Sequence, residues 1–234
     1  MRIVRRGYIL EVYEWETPAS KYPVKRFGRA RISRAKYDKG LYLMEGVGGF
    51  AFFKVMNPIK ITVLKIGRRD VMVDDPLHWF GMSILANCCR GKTLIGGLGL
   101  GLIIHALQSN KDVESIDVYE IDGDVIQLIQ PLLPNDNRVK VIHDDVFNSN
   151  PEVYDTIVLD LWAGRGNSDM GVEMLHAYSW FRDRSKKANV YVWGLTNPRI
   201  NPSVEPKARR VMMKMISEMF GFRNHNSRDV GEGK

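Results

Sequence analysis

The sequence predicts an α/β protein in which a small β-rich domain precedes a parallel sheet covered by helices on both faces. Two observations carry this prediction. From Thr93 onward, short apolar strand-like runs alternate with helical patterns, which is typical of a parallel sheet packed between helices. Before about Val73, β-branched and aromatic runs are separated by turn residues, and no helical period is sustained. We therefore expect a β-rich domain over residues 1–73 and the sheet domain over residues 74–234.

The β-rich part contains three clear strand candidates, and a helix follows it. The candidates are rich in β-branched and aromatic residues and lie at Tyr8–Tyr13, Phe50–Val55 and Lys60–Ile66. Asp74 and Asp75 stand where an aspartate caps the start of a helix, and Pro76 suits a first helical turn. We expect this helix to continue through Cys89.

The second part alternates between strands and helices. Its strands are predicted at Thr93–Ile95, Ser115–Glu120, Val139–His143, Tyr154–Leu159 and Asn189–Trp193. Its helices are predicted after Gly101 and at Val125–Leu133, Val172–Lys187 and Val204–Phe220. Asp122 is placed to cap the helix that Pro134 ends, so we interpret Asp122 as structural.

A glycine-rich turn joins the first of these strands to the helix behind it. Gly97, Gly99 and Gly101 permit the backbone angles of such a turn and leave no Cβ to hold a ligand away. Free N–H groups at the start of the helix can meet polar or anionic ligand atoms. Glu120 follows 19 residues after Gly101, where an acid can bind a ribose diol. Because Leu102 replaces the third glycine of a dinucleotide motif, a nucleoside is favoured over NAD; a tight turn without a ligand is the alternative.

Acidic residues stand at the carboxyl ends of three predicted strands that are successive in the chain, at Glu120, Asp145 and Asp160. In an open α/β sheet this edge is where ligands bind. Clustered carboxylates repel one another unless a cation or hydroxyl groups fill the site. The pattern favours a sulfonium nucleoside, with its ribose on Glu120, its adenine amine on Asp145 and its amino group near Asp160. Ile121 would offer an apolar face to the adenine.

These motifs together resemble a known family. The segments Ile95–Gly101, Tyr119–Asp122, Asp144–Val146 and Tyr154–Ala163 resemble the class I S-adenosylmethionine-dependent methyltransferase fold, which is Rossmann-like. Within that fold they are most similar to the spermidine synthase (aminopropyltransferase) branch, which also has a small β-domain in front of its sheet. The resemblance covers about half of the chain, and it implies a nucleoside site built from the residues quoted above.

Three positions depart from the pattern of that branch. Gly99 stands where the branch has an aspartate in its glycine loop, and Ala163 stands where it has a second acid after strand four. His78-Trp79-Phe80 aligns with the Tyr-His-Glu that precedes the family's sheet. Because polyamine capture needs anionic groups along an alkyl diamine, these changes indicate a relative that kept the nucleoside and changed the acceptor.

Three functions are compatible with these residues. A methyltransferase of unknown acceptor is favoured, because attack on a sulfonium methyl needs positioning more than acid–base help. The alternatives are an aminopropyltransferase that uses decarboxylated S-adenosylmethionine and a nucleoside-binding protein without turnover. The acceptor is expected to be a small molecule, with an amine as one option. No metal is predicted.

Asp160 is the predicted catalytic residue, and Trp162 is predicted to shape the acceptor pocket. A structural cap is the alternative for Asp160, and a core tryptophan is the alternative for Trp162. S-adenosylmethionine, or its decarboxylated form, is predicted to contact Gly97, Leu98, Gly99, Gly101, Glu120, Ile121, Asp145, Val146 and Asp160.

The net charge of +7 conceals a basic–acidic–basic arrangement. Residues 1–69 carry 16 Lys and Arg against 5 acidic residues, residues 112–173 carry 3 against 14, and residues 182–234 carry 12 against 5. Basic ends could bind nucleic acid. No aromatic–basic RNA motif accompanies these residues. We therefore favour the interpretation that the basic side chains solvate exposed strands or pair with the acidic middle of the chain, rather than bind nucleic acid.

Composition sets the remaining expectations. No run approaches the roughly 20 apolar residues of a membrane span, so no membrane partner is expected. The adjacent Cys88 and Cys89 give neither a disulfide framework nor a zinc pattern, and buried thiols in a reducing cytoplasm are the expected state. A homodimer is left open.

Overall fold

The computed structural model describes residues 1–6, 9–46, 49–162 and 170–194 of the 234-residue chain. All of these residues fall within one compact unit. The predicted last helix, Val204–Phe220, lies outside the described residues, as does Ala163.

The N-terminal part consists of eight strands in two four-stranded sheets. In chain order the strands are β1 (Arg2–Arg6), β2 (Ile9–Glu14), β3 (Arg26–Phe27), β4 (Ala30–Tyr37), β5 (Gly40–Gly46), β6 (Gly49–Val55), β7 (Ile59–Ile66) and β8 (Arg69–Val73). One sheet has the order β1-β2-β6-β5 and the other β3-β4-β7-β8. The three strands predicted here are confirmed as β2, β6 and β7, with small differences at their ends. Sequence patterns did not identify the other five strands, β1, β3, β4, β5 and β8.

Strands and helices then alternate, as predicted. The elements are α1 (Pro76–Ala86), β9 (Gly91–Gly96), α2 (Leu102–Leu107), β10 (Val113–Glu120), α3 (Gly123–Ile129), β11 (Val139–His143), β12 (Thr156–Leu159), α4 (Met170–Arg184) and β13 (Asn189–Val192). The five strands form one parallel sheet in the order β11-β10-β9-β12-β13. This confirms the predicted Rossmann-like α/β fold behind an N-terminal β-rich part.

Helices cover both faces of the parallel sheet. On one face, side chains such as Ile95 and Val158 pack with residues of α1, α2 and α3. On the other face, Leu94, Ile157 and neighbouring strand residues pack with Phe181 and other residues of α4. Adjacent strand residues therefore supply opposite faces, as the period of two along a strand requires. None of the described helices has the length and apolarity that crossing a membrane would need.

Three helix ends differ from the sequence prediction. α4 ends at Arg184 rather than at Lys187. α1 ends at Ala86 rather than at Cys89, because the N–H groups of Cys88 and Cys89 turn back onto carbonyls three residues earlier. α3 ends at Ile129, and a short 3-10 turn containing Pro131 follows it. Pro131 lacks the N–H that would continue the α-helix, so this proline, and not Pro134, ends α3.

A buried aspartate directly after β8 joins separate segments of the N-terminal part. Asp74 is fully buried and accepts hydrogen bonds from the Thr17 hydroxyl at 2.6 Å and from the Thr62 N–H at 2.5 Å. Trp15 donates its indole N–H to the Asp74 carbonyl at 2.8 Å. Side chains from both parts share one apolar core. The Leu100 N–H donates to the Met72 sulfur at 3.0 Å, which ties the β7–β8 hairpin to the glycine loop, and the division at residue 73 stays a prediction.

Candidate active site

The glycine loop lies at the carboxyl end of β9, and its glycines accommodate the protein's own contacts. Gly97, Gly99 and Gly101 all have positive φ angles, of 92°, 51° and 69°. A Cβ at Gly97 would overlap the carbonyl oxygen of Asp160, and a Cβ at Gly99 would overlap the sulfur of Met72. The sequence predicted glycines here so that backbone could approach a ligand. The structure adds a different requirement. These positions must lack a side chain because β8 and the residue after β12 contact the loop there.

Glu120 is held at the end of β10 by two backbone amides. Its Oε2 accepts from the Leu98 N–H and its Oε1 from the Asp122 N–H, both at 2.9 Å. The carboxylate is half-buried at the edge of the pocket. Each carboxylate oxygen has a second lone pair, so both can still accept a hydroxyl. Glu120 therefore links the glycine loop to the start of α3 and remains able to bind a diol.

The acidic segment after β11 forms a second wall of the pocket. Asp145 caps a short 3-10 turn by accepting from the Phe147 N–H at 3.0 Å, and Val146 beside it is buried. Ile121, across the pocket, exposes 70% of its surface. This arrangement gives a planar heterocycle an apolar neighbour and a carboxylate acceptor at its edge.

Asp160 follows β12 and lies against the glycine loop. Its backbone N–H donates to the Gly96 carbonyl at 2.8 Å. Burial raises the pKa of Asp160, His78 opposes that shift and Glu120 adds to it, and together they leave the pKa at about 6. Near neutral pH the carboxyl is therefore mostly ionised yet basic enough to accept a proton.

A histidine that the sequence did not single out as a site residue stands behind this carboxyl. Asp75 caps α1 and lies 3.1 Å from Nδ1 of His78. The imidazole stacks on Trp193, with ring centroids 5.1 Å apart and 18° between the planes. Burial lowers the pKa of His78, but carboxylates, chiefly Asp75 and also Asp160, outweigh burial and raise it. The three-residue spacing of Asp75 and His78 at a helix start was the available sequence signal.

The β7–β8 hairpin supplies an apolar wall, which we define as Leu64, Ile66, Val71 and Met72. The pairing of β7 with β8 shifts register after Leu64, which leaves Val71 as the extra residue of a β-bulge. A bulge turns successive side chains toward the same side. This explains why Val71 and Met72, although adjacent, both line the pocket.

The pocket enclosed by these elements has a volume of about 330 Å³. It is lined by Gly97, Gly99, Glu120, Ile121, Asp145, Val146, Asp160 and Trp162 among the predicted residues. Leu98 and Gly101 do not line it. Leu98 is buried and contributes its N–H to Glu120, whereas Gly101 begins α2. A larger, open depression of about 640 Å³ around Tyr22 and His105 contains none of the predicted site residues.

The pocket is strongly acidic. Five carboxylates line it, at Glu120, Asp122, Asp144, Asp145 and Asp160, and among the described lining residues there is no lysine, arginine or histidine. Arg29 pairs with Asp122 from the outer side at 3.2 Å. This pair is one instance of the predicted pairing between the basic N-terminal part and the acidic middle. The described walls therefore favour a cationic ligand.

Comparison with known proteins supports the resemblance seen in the motifs. Polyamine aminopropyltransferases of Yersinia pestis (strain Pestoides F) and Yersinia pseudotuberculosis (serotype O:1b, strain IP 31758) are each 32% identical over 89 residues. The matched part covers 34% of this chain and 30% of each relative. The spermidine synthase of Thermotoga maritima matches with a TM-score of 0.36 and 18% identity, over 51% of this chain and 54% of that one. No family model matches the sequence. The chain resembles the spermidine synthases, as its motifs predicted.

Proposed function

We propose that the protein transfers an aminopropyl group from decarboxylated S-adenosylmethionine to an amine. The observation that carries this proposal is the acidic pocket, whose described lining contains five carboxylates and no basic side chain. S-adenosylmethionine carries a carboxylate that such a lining would repel, whereas the decarboxylated form carries a sulfonium and an ammonium only. Like charges brought together in a desolvated site are unfavourable.

The residues present suit each part of that donor. Glu120 accepts from the ribose hydroxyls, and Asp145 accepts from the adenine amino group next to the apolar surface of Ile121. Asp160 has two carboxylate oxygens, so it can accept from the donor ammonium and from an attacking amine at the same time. These roles stay predictions, supported by the common location of the residues around one pocket.

The proposed reaction is a single displacement. The neutral acceptor nitrogen attacks the aminopropyl carbon bonded to sulfur; a C–N bond forms as the C–S bond breaks. The electron pair of the broken bond goes to sulfur, which leaves as the neutral thioether methylthioadenosine. As the C–N bond forms, Asp160 accepts a proton from the attacking nitrogen, and its pKa of about 6 keeps it ionised for this role at neutral pH.

Both the acidic lining and the named relatives favour this aminopropyl alternative over the methyl transfer that the sequence favoured. The relatives named polyamine aminopropyltransferase match only part of the chain, so the reaction rests mainly on the pocket. Methyl transfer would leave S-adenosylhomocysteine as the product nucleoside, which separates the two reactions chemically.

The test is to incubate the protein with each donor and a mixture of primary amines and to identify the products by mass spectrometry. We expect methylthioadenosine and an N-aminopropyl amine from the decarboxylated donor. Formation of S-adenosylhomocysteine and a methylated acceptor from S-adenosylmethionine, with no turnover of the decarboxylated donor, would overturn the proposal. Asp160→Asn is the matched variant, since it keeps the side-chain shape and removes the base.

A further inference from the structure

We infer that Glu173, in the first turn of α4, binds a second ammonium group of the amine acceptor. This inference rests on the proposed aminopropyl transfer and concerns the end of the same pocket where Asp160 stands. It gives α4 a carboxylate that holds the unreactive end of the acceptor, while Asp160 serves the nitrogen that attacks.

The sheet order places Asp160 and α4 in the same half of the molecule. β10 and β11 lie on one side of β9, whereas β12 and then β13 lie on the other. Asp160 directly follows β12, and α4 is the helix that leads into β13. Residues of α4 such as Met174 and Phe181 pack with residues of β12 and β13. The carboxylates assigned to the nucleoside, Glu120 and Asp145, come from the other half.

Trp162 connects the start of α4 to the pocket. It follows Asp160 by two residues, so their α-carbons lie within about 7 Å of each other, the span of two extended residues. Trp162 lines the pocket together with Asp160, and it also packs against the apolar cluster that contains Met174. Its indole N–H donates to Oε2 of Glu173 at 3.0 Å. Glu173 therefore lies directly beside a side chain of the pocket lining.

The carboxylate of Glu173 keeps the capacity to bind a cation. Its hydrogen bond from Trp162 occupies one lone pair of one oxygen. No basic side chain in the described part of the chain pairs with it. The side chain is exposed, so an acceptor that enters from solvent can reach it. A carboxylate next to an indole ring favours an ammonium group, because both the charge and the ring attract a cation.

An acceptor with two amino groups would use both carboxylates. Its neutral nitrogen attacks the donor and passes a proton to Asp160, while its protonated nitrogen lies against Glu173. A monoamine of equal length makes only the first contact. Because solvent screens the exposed Glu173, we expect the second contact to raise kcat/KM by about threefold to fivefold, the upper part of the range for an exposed ion pair.

The experiment measures methylthioadenosine release from decarboxylated S-adenosylmethionine, and each diamine is compared with the monoamine of equal carbon number. The pairs are 1,4-diaminobutane with n-butylamine, 1,5-diaminopentane with n-pentylamine and 1,6-diaminohexane with n-hexylamine. For the pair with the largest preference for the diamine, Glu173→Gln should lower the ratio of the two kcat/KM values by about threefold to fivefold. Glutamine can still accept the indole N–H, so this variant removes the charge and keeps Trp162 in place.

Asp183→Asn is the matched control, because it removes an acidic charge from an exposed position on the same helix, about 15 Å further along. This control should leave the ratio unchanged, and both variants should bind methylthioadenosine as the wild type does. An unchanged ratio in Glu173→Gln, equal falls in both variants, or a wild type that prefers no diamine would overturn this inference and leave aminopropyl transfer standing. No release with any amine would overturn the proposed function, and this inference with it.

Discussion

Replacing Asp160 by asparagine tests the proposed chemistry because it removes a charge and preserves shape. Raising the carboxyl pKa from 3.8 to about 6 corresponds to a cost of up to about 3 kcal/mol for the ionised form in the folded protein. Because the folded-state pKa is the higher one, this cost is absent below about pH 4 and is reached in full above about pH 6. Asp160→Asn should therefore be more stable than wild type at pH 8 and nearly equal to it at pH 4.

The assay is urea unfolding of both proteins at several pH values, combined with activity. Asp160→Asn should lose about 10²–10⁴-fold in kcat, the scale of a general base, while its affinity for neutral methylthioadenosine stays within about twofold. In the wild type, kcat/KM should fall as the pH drops below about 6, because the protonated carboxyl cannot accept a proton. Wild-type turnover by the variant, or a stability difference that does not change with pH, would refute the reasoning.

Three further perturbations follow from the same site. Glu120→Ala should weaken nucleoside binding by about 1.5–3 kcal/mol, measured by calorimetry, because it removes a charged acceptor. Gly99→Ala should lower the free energy of unfolding in urea by about 3–4 kcal/mol, because the strain of a left-handed backbone adds to the overlap with the hairpin. Gly67→Ala has the same backbone strain but open space around its Cβ, so it should lower the free energy of unfolding by about 1–2 kcal/mol. His78→Gln removes a positive charge that lowers the pKa of Asp160, so the acidic limb of the pH–rate profile should move to higher pH.

Each of these predictions has its own control. Glu114 lies exposed near the start of the strand that Glu120 ends, and Glu114→Ala should leave nucleoside affinity unchanged; equal losses for both variants would contradict a ligand role. If Met72→Ala recovers none of the Gly99→Ala cost in a double-mutant cycle, the overlap argument fails. A His78→Gln profile that moves to lower pH, or does not move, would contradict the electrostatic coupling.

The sheet and its ligand-binding edge could be predicted because their signals are local. β11 has the predicted bounds, Val139–His143, and Glu120 ends its strand as expected. A strand of alternating or continuous apolar residues and a glycine turn are both readable over a few residues. The predicted ligand contacts then follow from one rule about the carboxyl edge of parallel strands.

The apolar wall and the role of Gly99 could not be predicted in the same way. Met72 meets Gly99 through a hairpin that is 27 residues away in sequence, and Val71 faces the pocket because of a β-bulge. Register and bulges depend on which strands pair, and sequence periodicity does not specify strand partners. The effect of His78 on Asp160 was overlooked for a related reason, since Asp160 follows a strand that is distant from His78 in sequence.

The choice of donor is the central claim, and calorimetry with three nucleosides tests it most directly. Decarboxylated S-adenosylmethionine should bind at least about tenfold more tightly than S-adenosylmethionine, a difference of about 1.4 kcal/mol, because the described pocket offers carboxylates and no basic side chain. Methylthioadenosine should bind through the ribose and adenine contacts alone and show weaker affinity than the decarboxylated donor. Tighter binding of S-adenosylmethionine than of its decarboxylated form would contradict the proposal and favour methyl transfer.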